Sequence, residues 1–276
     1  MRSKFIIAMP VILLLMLLAY PIVSTYKESE SGNVSKYSVE IVQTATEADN
    51  SVCRWGLSRG KNGSIPEAGR KDVEILLKGG GMYLGDINEN KMYLTFDEGY
   101  ENGYTTDILD TLREENVKAV FFITGDYFEK NDAIIRRMLA EGHSVGNHSM
   151  NHYSMPELSY EKCENEILEL DRLFFNKFGE HMYFFRPPKG EYNSRVLEIA
   201  GNLNYKCVMW SFAYQDWLTN AQKGADYALD IVSKNFHNGA VILLHAVSKD
   251  NAEALGSIIR EARKQGYEFG SPEELL

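Results

Sequence analysis

Tyr93-Leu-Thr-Phe-Asp97-Glu98-Gly99-Tyr100 runs an apolar, β-type segment straight into two carboxylates and a glycine. Buried strands of α/β proteins read as short apolar runs, and their working residues sit just beyond the strand C-termini. Neighbouring residues on a strand point to opposite faces. Asp97 and Glu98 therefore do not form the facing pair of a glycosidase, whose carboxyls stand about 5–9.5 Å apart, and they have different jobs.

Outward from this segment, short apolar runs alternate with amphipathic stretches. Strands are predicted near residues 92–96, 119–124, 144–146, 183–185, 206–210, 241–244 and 267–269, and helices near 105–115, 132–141, 160–177, 194–201, 225–235 and 251–265. Such βα repetition predicts an α/β fold with parallel strands, either a barrel or a doubly wound sheet.

Four further strand ends carry chemistry. His148-Ser-Met-Asn-His152 places two imidazoles four residues apart, the interval that brings ligands onto one side of a helical turn, and so predicts a metal site. Arg186, followed by Pro187 and Pro188, delivers a guanidinium from a buried strand and needs an anion; Asp97 is the natural one. Trp210-Ser-Phe-Ala-Tyr-Gln-Asp216-Trp217 offers a carboxylate, and Val241-Ile-Leu-Leu-His245 ends in a histidine suited to act as an acid, whose protonated ring a carboxylate such as Asp216 beside it would favour. His143, His181 and His237 lack such partners and read as surface or core residues. Together the five segments supply two metal-type histidines, a base, its orienter and an acid.

The rest of the chain sets the context. With 276 residues, 44% of them apolar, it can bury the core of one full domain. Its net charge of -10 excludes a general attraction for nucleic acid. Arg2 and Lys4 precede an apolar run ending at Val23, which predicts residues 1–25 as a signal peptide or membrane anchor and an extracytoplasmic location, anchored or secreted. Residues 26–50 have the polar composition of a flexible linker, residues 51–90 read as an irregular lead-in that packs on the main domain, and residues 91–276 as the catalytic domain. Cys53, Cys163 and Cys207 are odd in number and far apart, which does not suggest a disulfide framework; Cys163 and Cys207 read as small core residues.

The Thr-Phe-Asp-Glu-Gly, His-Ser-x-x-His, Arg-Pro-Pro, Asp-Trp and Leu-x-His motifs resemble those of the polysaccharide deacetylase, or NodB-homology, family from residue 91 to the C-terminus. Gly99-Tyr-Glu-Asn-Gly-Tyr104-Thr, Asp216-Trp217, Ser248-Lys-Asp-Asn-Ala-Glu-Ala-Leu255, Trp55-Gly56 and Tyr83-Leu-Gly-Asp86 look most like its sporulation members, which deacetylate N-acetylmuramic acid for the muramic δ-lactam of spore cortex. The resemblance implies a distorted (β/α) barrel of about seven strands and a divalent metal cation, zinc by first expectation. It implies Asp97 as base, Arg186 as its orienter, His245 as acid supported by Asp216, and His148 and His152 as metal ligands. Glu98 stands where the family has a metal-ligating aspartate, so it is expected to reach the metal directly or through a water. Tyr104, Pro187 and Trp217 are expected to touch substrate, Phe212 to pack, and a backbone N–H near Glu191 or Tyr192 to meet the oxyanion. Peptidoglycan glycan strands are the implied partner, with an upstream amidase to remove stem peptides and the forespore intermembrane space as a location. Two alternatives stay open: a deacetylase of N-acetylglucosamine in peptidoglycan or chitooligosaccharides, and a catalytically impaired glycan-binding protein.

Overall fold

The computed structural model describes residues 50–58, 60 and 63–276. The expected leader and nearly all of the expected linker lie outside the described residues, within which no helix is long and apolar enough to cross a membrane.

Three short strands open the described chain, β1 (Cys53–Arg54), β2 (Leu57–Ser58) and β3 (Glu67–Ala68), followed by α1 (Arg70–Lys78). Then come β4 (Lys91–Glu98), α2 (Thr105–Glu114), β5 (Ala119–Ile123), α3 (Gly125–Lys130), α4 (Asp132–Ala140), β6 (Ser144–Asn147), α5 (Tyr160–Phe178) and β7 (Phe184–Phe185). The chain finishes with β8 (Glu191–Tyr192), α6 (Ser194–Asn202), β9 (Lys206–Cys207), α7 (Ala225–Ser233), β10 (Ala240–His245), α8 (Lys249–Lys264) and β11 (Glu268–Phe269). Seven of the strands form one parallel sheet in the order β10-β4-β5-β6-β7-β9, with β11 paired to the start of β4.

This sheet curls into a distorted barrel. Its two outer strands, β9 and β10, are not paired directly; the gap is bridged by Met82 to Val208, Leu84 to Ala240 and Phe212 to Ile242. The lead-in thus supplies part of the closure, with Met82 N–H donating to the Cys207 carbonyl at 2.9 Å and Gly85 N–H to the Gly239 carbonyl at 2.8 Å. Closure of this kind separates a barrel from the doubly wound alternative and satisfies edge groups that an open sheet would expose.

Alternation along β4 sorts the core into two layers. Tyr93 packs inside the barrel with Val120, Phe122, Phe184, Val208, Val241 and Leu275. Met92, Leu94 and Phe96 belong to the larger cluster beneath the helices, with Phe121, Ile108 and Leu255 among others. Burying each such side chain contributes about 1.5–3 kcal/mol. Asp97 continues the inner row and Glu98 the outer one, which gives the two carboxyls their separate environments. Cys53, Cys163 and Cys207 are all buried, Cys163 and Cys207 in the core as read from the sequence.

Candidate active site

The C-terminal ends of β4, β5, β6, β7 and β10 surround a cavity of about 1030 Å³ lined by Asp97, His148, His152, Lys189, Trp217 and His245, among others. Strand register builds its centre. In the parallel pairing of β10 with β4, His245 lies directly opposite Asp97, so the expected acid and base share one face on neighbouring strands.

Arg186 leaves β7 fully buried and its Nη1 donates to Asp97 Oδ1 at 2.8 Å. Its Nε donates to the Val208 carbonyl at 2.9 Å, and the guanidinium lies 4.1 Å from the Phe122 ring centroid. Burial would raise the Asp97 pKa, but the charge of Arg186, with a smaller part from His245, outweighs it and holds the carboxyl below its ordinary value. Asp97 is therefore an ionised carboxylate in a dry setting, which is what a base requires.

His245 is arranged in the opposite sense. Its Nδ1 donates to Asp216 Oδ1 at 2.7 Å and its backbone N–H to Asp216 Oδ2 at 2.8 Å. Burial pulls the imidazole pKa down, yet the Asp216 charge and hydrogen bond more than offset this, and the value rises above the ordinary one. Asp216 is itself held by Asn251, whose Nδ2 donates to Asp216 Oδ2 at 2.5 Å and to the His245 carbonyl at 3.2 Å, while Tyr214 Oη donates to Asn251 Oδ1. Ser248, the N-cap of α8, donates to Gln222, and Gln222 donates to the Asp216 carbonyl, so the start of α8 clamps the Asp216 loop.

The two histidines at the end of β6 are close, with ring centroids 5.0 Å apart, but a loop rather than a helical turn brings them together. Ser149 (φ 66°) and His152 (φ 56°) are left-handed, a conformation that costs a non-glycine residue about 1–3 kcal/mol and persists where surroundings enforce it. Glu166 of α5 supplies that enforcement, accepting from Asn151 N–H and Asn151 Nδ2, each at 2.7 Å. His148 Nδ1 donates to the Arg186 carbonyl at 2.7 Å, leaving Nε2 unprotonated and 3.5 Å from Asp97 Oδ2. Burial depresses His148 to about 4 and lowers His152 as well, so both rings are neutral and free to ligate.

Several expectations need correction. Glu98 does not join the histidines: it is fully buried on the outer face of β4, absent from the cavity wall, and both carboxyl oxygens lack a hydrogen-bond partner among the described residues. Burial, then Glu101 and Asp97, raise its pKa well above normal. Among the described residues no three His, Cys, Asp or Glu side chains converge as a metal set. Tyr104 caps α2 and packs against the core, and the cavity tyrosine is Tyr100, 49% exposed. Pro187 is buried, does not line the cavity, and begins the turn that presents Lys189 and Gly190. Glu191 and Tyr192 pair with β1 and do not line the cavity. Trp217 does line it, 46% exposed, its ring 5.3 Å from that of His245. Phe212 packs in the core, His143 and His237 are buried, and His181 pairs with Asp171 at the surface. Asn251, Glu166 and Lys189 went unassigned from sequence; Asn251 and Lys189 sit inside motif stretches, whereas nothing local marks Glu166.

The family model for polysaccharide deacetylases matches residues 85–208. The peptidoglycan-N-acetylmuramic acid deacetylase PdaA of Bacillus subtilis is 40% identical over 228 residues, covering 82% of this chain and 87% of that one. The chain belongs to the polysaccharide deacetylase family. The solved structure of B. subtilis PdaA, described as a family 4 carbohydrate esterase, superposes with a TM-score of 0.79 over 82% of this chain and 97% of that chain. A peptidoglycan-N-acetylglucosamine deacetylase of Bacillus cereus is 38% identical over 192 residues, 68% of this chain and 89% of its own.

Deacetylases of this family are metal-dependent. The residues of this polysaccharide deacetylase fit such an ion at His148 and His152: both rings are neutral, and the Nδ1 bond to the Arg186 carbonyl fixes the His148 tautomer so that Nε2 points inward, the outer-shell pattern of a ligating histidine. Glu98 does not extend this set.

Proposed function

We propose that this chain hydrolyses the acetamide of N-acetylmuramic acid in peptidoglycan, releasing acetate and a free amino sugar. One observation carries the chemistry: Asp97 and His245, in register on adjacent strands, are driven to opposite protonation states by Arg186 and Asp216 at the wall of one sugar-sized cavity. Asp97 takes a proton from the attacking water, whose oxygen forms the new bond to the acetamide carbon. His245 gives its proton to the nitrogen as the C–N bond breaks. Trp217 and Tyr100 offer ring faces to the sugar. A divalent cation, zinc by our reading, would be held by His148 and His152 and would supply Lewis-acid polarisation of the water and carbonyl.

The identity of the sugar draws on the likeness to PdaA. The same likeness supports a role in making the muramic δ-lactam of spore cortex, downstream of an amidase that frees the lactyl carboxyl. Such work requires an extracytoplasmic site, by our reading the forespore intermembrane space, with the N-terminal segment as leader or anchor. The test is mass spectrometry of peptidoglycan strands, with and without stem peptides, after treatment with the purified protein plus or minus divalent metal. Acetyl loss from muramic acid that disappears in Asp97→Asn and on chelation is expected. Loss from glucosamine alone would reassign the substrate, and no loss from either sugar would leave a glycan-binding protein.

A further inference from the structure

Lys189 is the single lysine or arginine among the described residues that line the cavity. Three acids share the wall, and none pairs with it: Asp97 is bound to Arg186, Asp126 to Lys130, and no ion pair joins Lys189 to Glu129. The lysine lies close enough to the metal-type histidines for its field to reach His152, where it adds to the lowering by burial against the pull of Asp97.

The backbone at Lys189 is left-handed, with φ 60° and ψ 6°, a conformation that glycine adopts freely and a residue with a side chain does not. Gly190 follows at φ 66°, where a Cβ would come 2.8 Å from the Trp210 ring and 3.3 Å from Trp55 Cβ. The lead-in enforces this turn. Trp55 N–H donates to the Gly190 carbonyl and Trp55 Nε1 to the Trp210 carbonyl, each at 2.9 Å, while Arg54 pairs with Glu191 at 3.2 Å. A lysine is thus held in a glycine's conformation, exposed at the wall of a catalytic cavity, with no ion-pair partner among the described residues. Strain so placed points to a task for the side chain.

N-Acetylmuramic acid differs from N-acetylglucosamine by a lactyl ether at O3, carried on the ring carbon next to the one bearing the acetamide. Its carboxylate must therefore enter the same cavity as the reacting group. We propose that Lys189 is the specificity residue that holds this lactyl carboxylate, an inference that rests on the deacetylase reading above. The contact is lost to glucosamine, which has no such group, and weakened for muramic acid whose lactyl carboxyl is tied up as an uncharged amide to a stem peptide.

The test measures kcat/KM of the metal-loaded full chain on peptide-free strands and on the same strands with the lactyl carboxyl converted to its methylamide. The wild type should prefer the free acid by about fivefold to tenfold, between an exposed ion pair and a charge-assisted hydrogen bond away from water. Lys189→Gly suits the backbone, so the fold is not threatened, and it should abolish the preference; Lys189→Arg should keep it and Lys189→Glu reverse it. An equal fall on both substrates would show that Lys189 acts only through His152, and would overturn the proposal. So would a wild type indifferent to the amide, although its turnover of muramic acid would leave the deacetylase reading standing. A wild type that acts on glucosamine alone would overturn both.

Discussion

Replacing Arg186 by methionine removes one member of a buried ion pair and leaves the other. Arg186 is 0% and Asp97 9% exposed at the side chain, with 2.8 Å between them. Stripping one partner from such a pair costs about 3–5 kcal/mol, because the remaining charge is stranded away from water, whereas replacing both together costs far less. Arg186→Met should therefore lower stability by about 3–5 kcal/mol. Adding Asp97→Asn should recover at least about 2 kcal/mol of that, leaving about 1–2 kcal/mol for the Val208 carbonyl that loses its Nε donor. Lysine is no substitute, since the guanidinium also reaches that carbonyl and sits over the Phe122 ring.

The sign of the pH dependence follows. Asp97 has a depressed pKa in the native wild type, so its contribution is complete above its unfolded value of about 3.9 and is lost as pH falls through the folded value. In Arg186→Met, burial, the largest influence on this carboxyl, loses its main opponent; the folded pKa rises and the variant gains relative stability as pH falls. The gap between the two proteins should therefore narrow from pH 7 towards pH 4, followed by urea unfolding with tryptophan fluorescence. Additive effects in the two single variants and the double variant, to within about 0.5 kcal/mol, or a gap indifferent to pH, would refute the reasoning.

In Asp216→Asn the carboxylate that raises His245 is gone while burial persists, so the alkaline limb of kcat should move from above the ordinary histidine value of about 6.5 to below it, with about 10²-fold loss at neutral pH. A pH–rate profile with an unmoved limb would remove His245 as the acid. Asn251→Ala leaves Asp216 Oδ2 short of a donor and Tyr214 Oη without its acceptor; it should cost about 1–3 kcal/mol in urea unfolding and lower kcat more than it raises KM. Glu98→Gln should keep its metal, measured by elemental analysis of the dialysed protein, whereas His148→Ala should lose it; loss of metal in Glu98→Gln would restore that carboxyl as a ligand.

The strands were legible because a period of two and a run of apolar residues survive burial on both sides, and the end of each run located Asp97, His148, Arg186 and His245. The same alternation separated Asp97 from Glu98, yet family analogy still sent Glu98 to the metal; strand geometry sent it to the outer face with Phe96. Helix α3 has too few residues, 6, to show a period, and α1 lies in a segment whose glycines read as irregular. Barrel closure by Met82 and Leu84 had no local signal, since isolated bridges lack periodicity. The His148–His152 spacing suggested a helical turn because four residues make one; the left-handed loop depends on Glu166, fourteen residues past His152 and visible only in three dimensions.

Burial acts on base and acid in the same direction, towards neutrality: it raises Asp97 and lowers His245. Left to burial alone, the cavity would hold a protonated aspartic acid beside a neutral imidazole, the wrong state for both roles. Arg186 on one side and Asp216 on the other reverse this, and Asp97 and His245 each favour the other's charged form, giving alternating charges along Arg186, Asp97, His245 and Asp216. The proposed reaction moves a proton onto Asp97 and off His245, so each transfer carries the pair towards the neutral state that burial favours. The outer ions hold the ground state charged and the chemistry discharges it. Their loss must then narrow the active pH range from opposite ends: removing Arg186 raises the acid limb, removing Asp216 lowers the alkaline one, and neither variant should move the other's limb as far as its own.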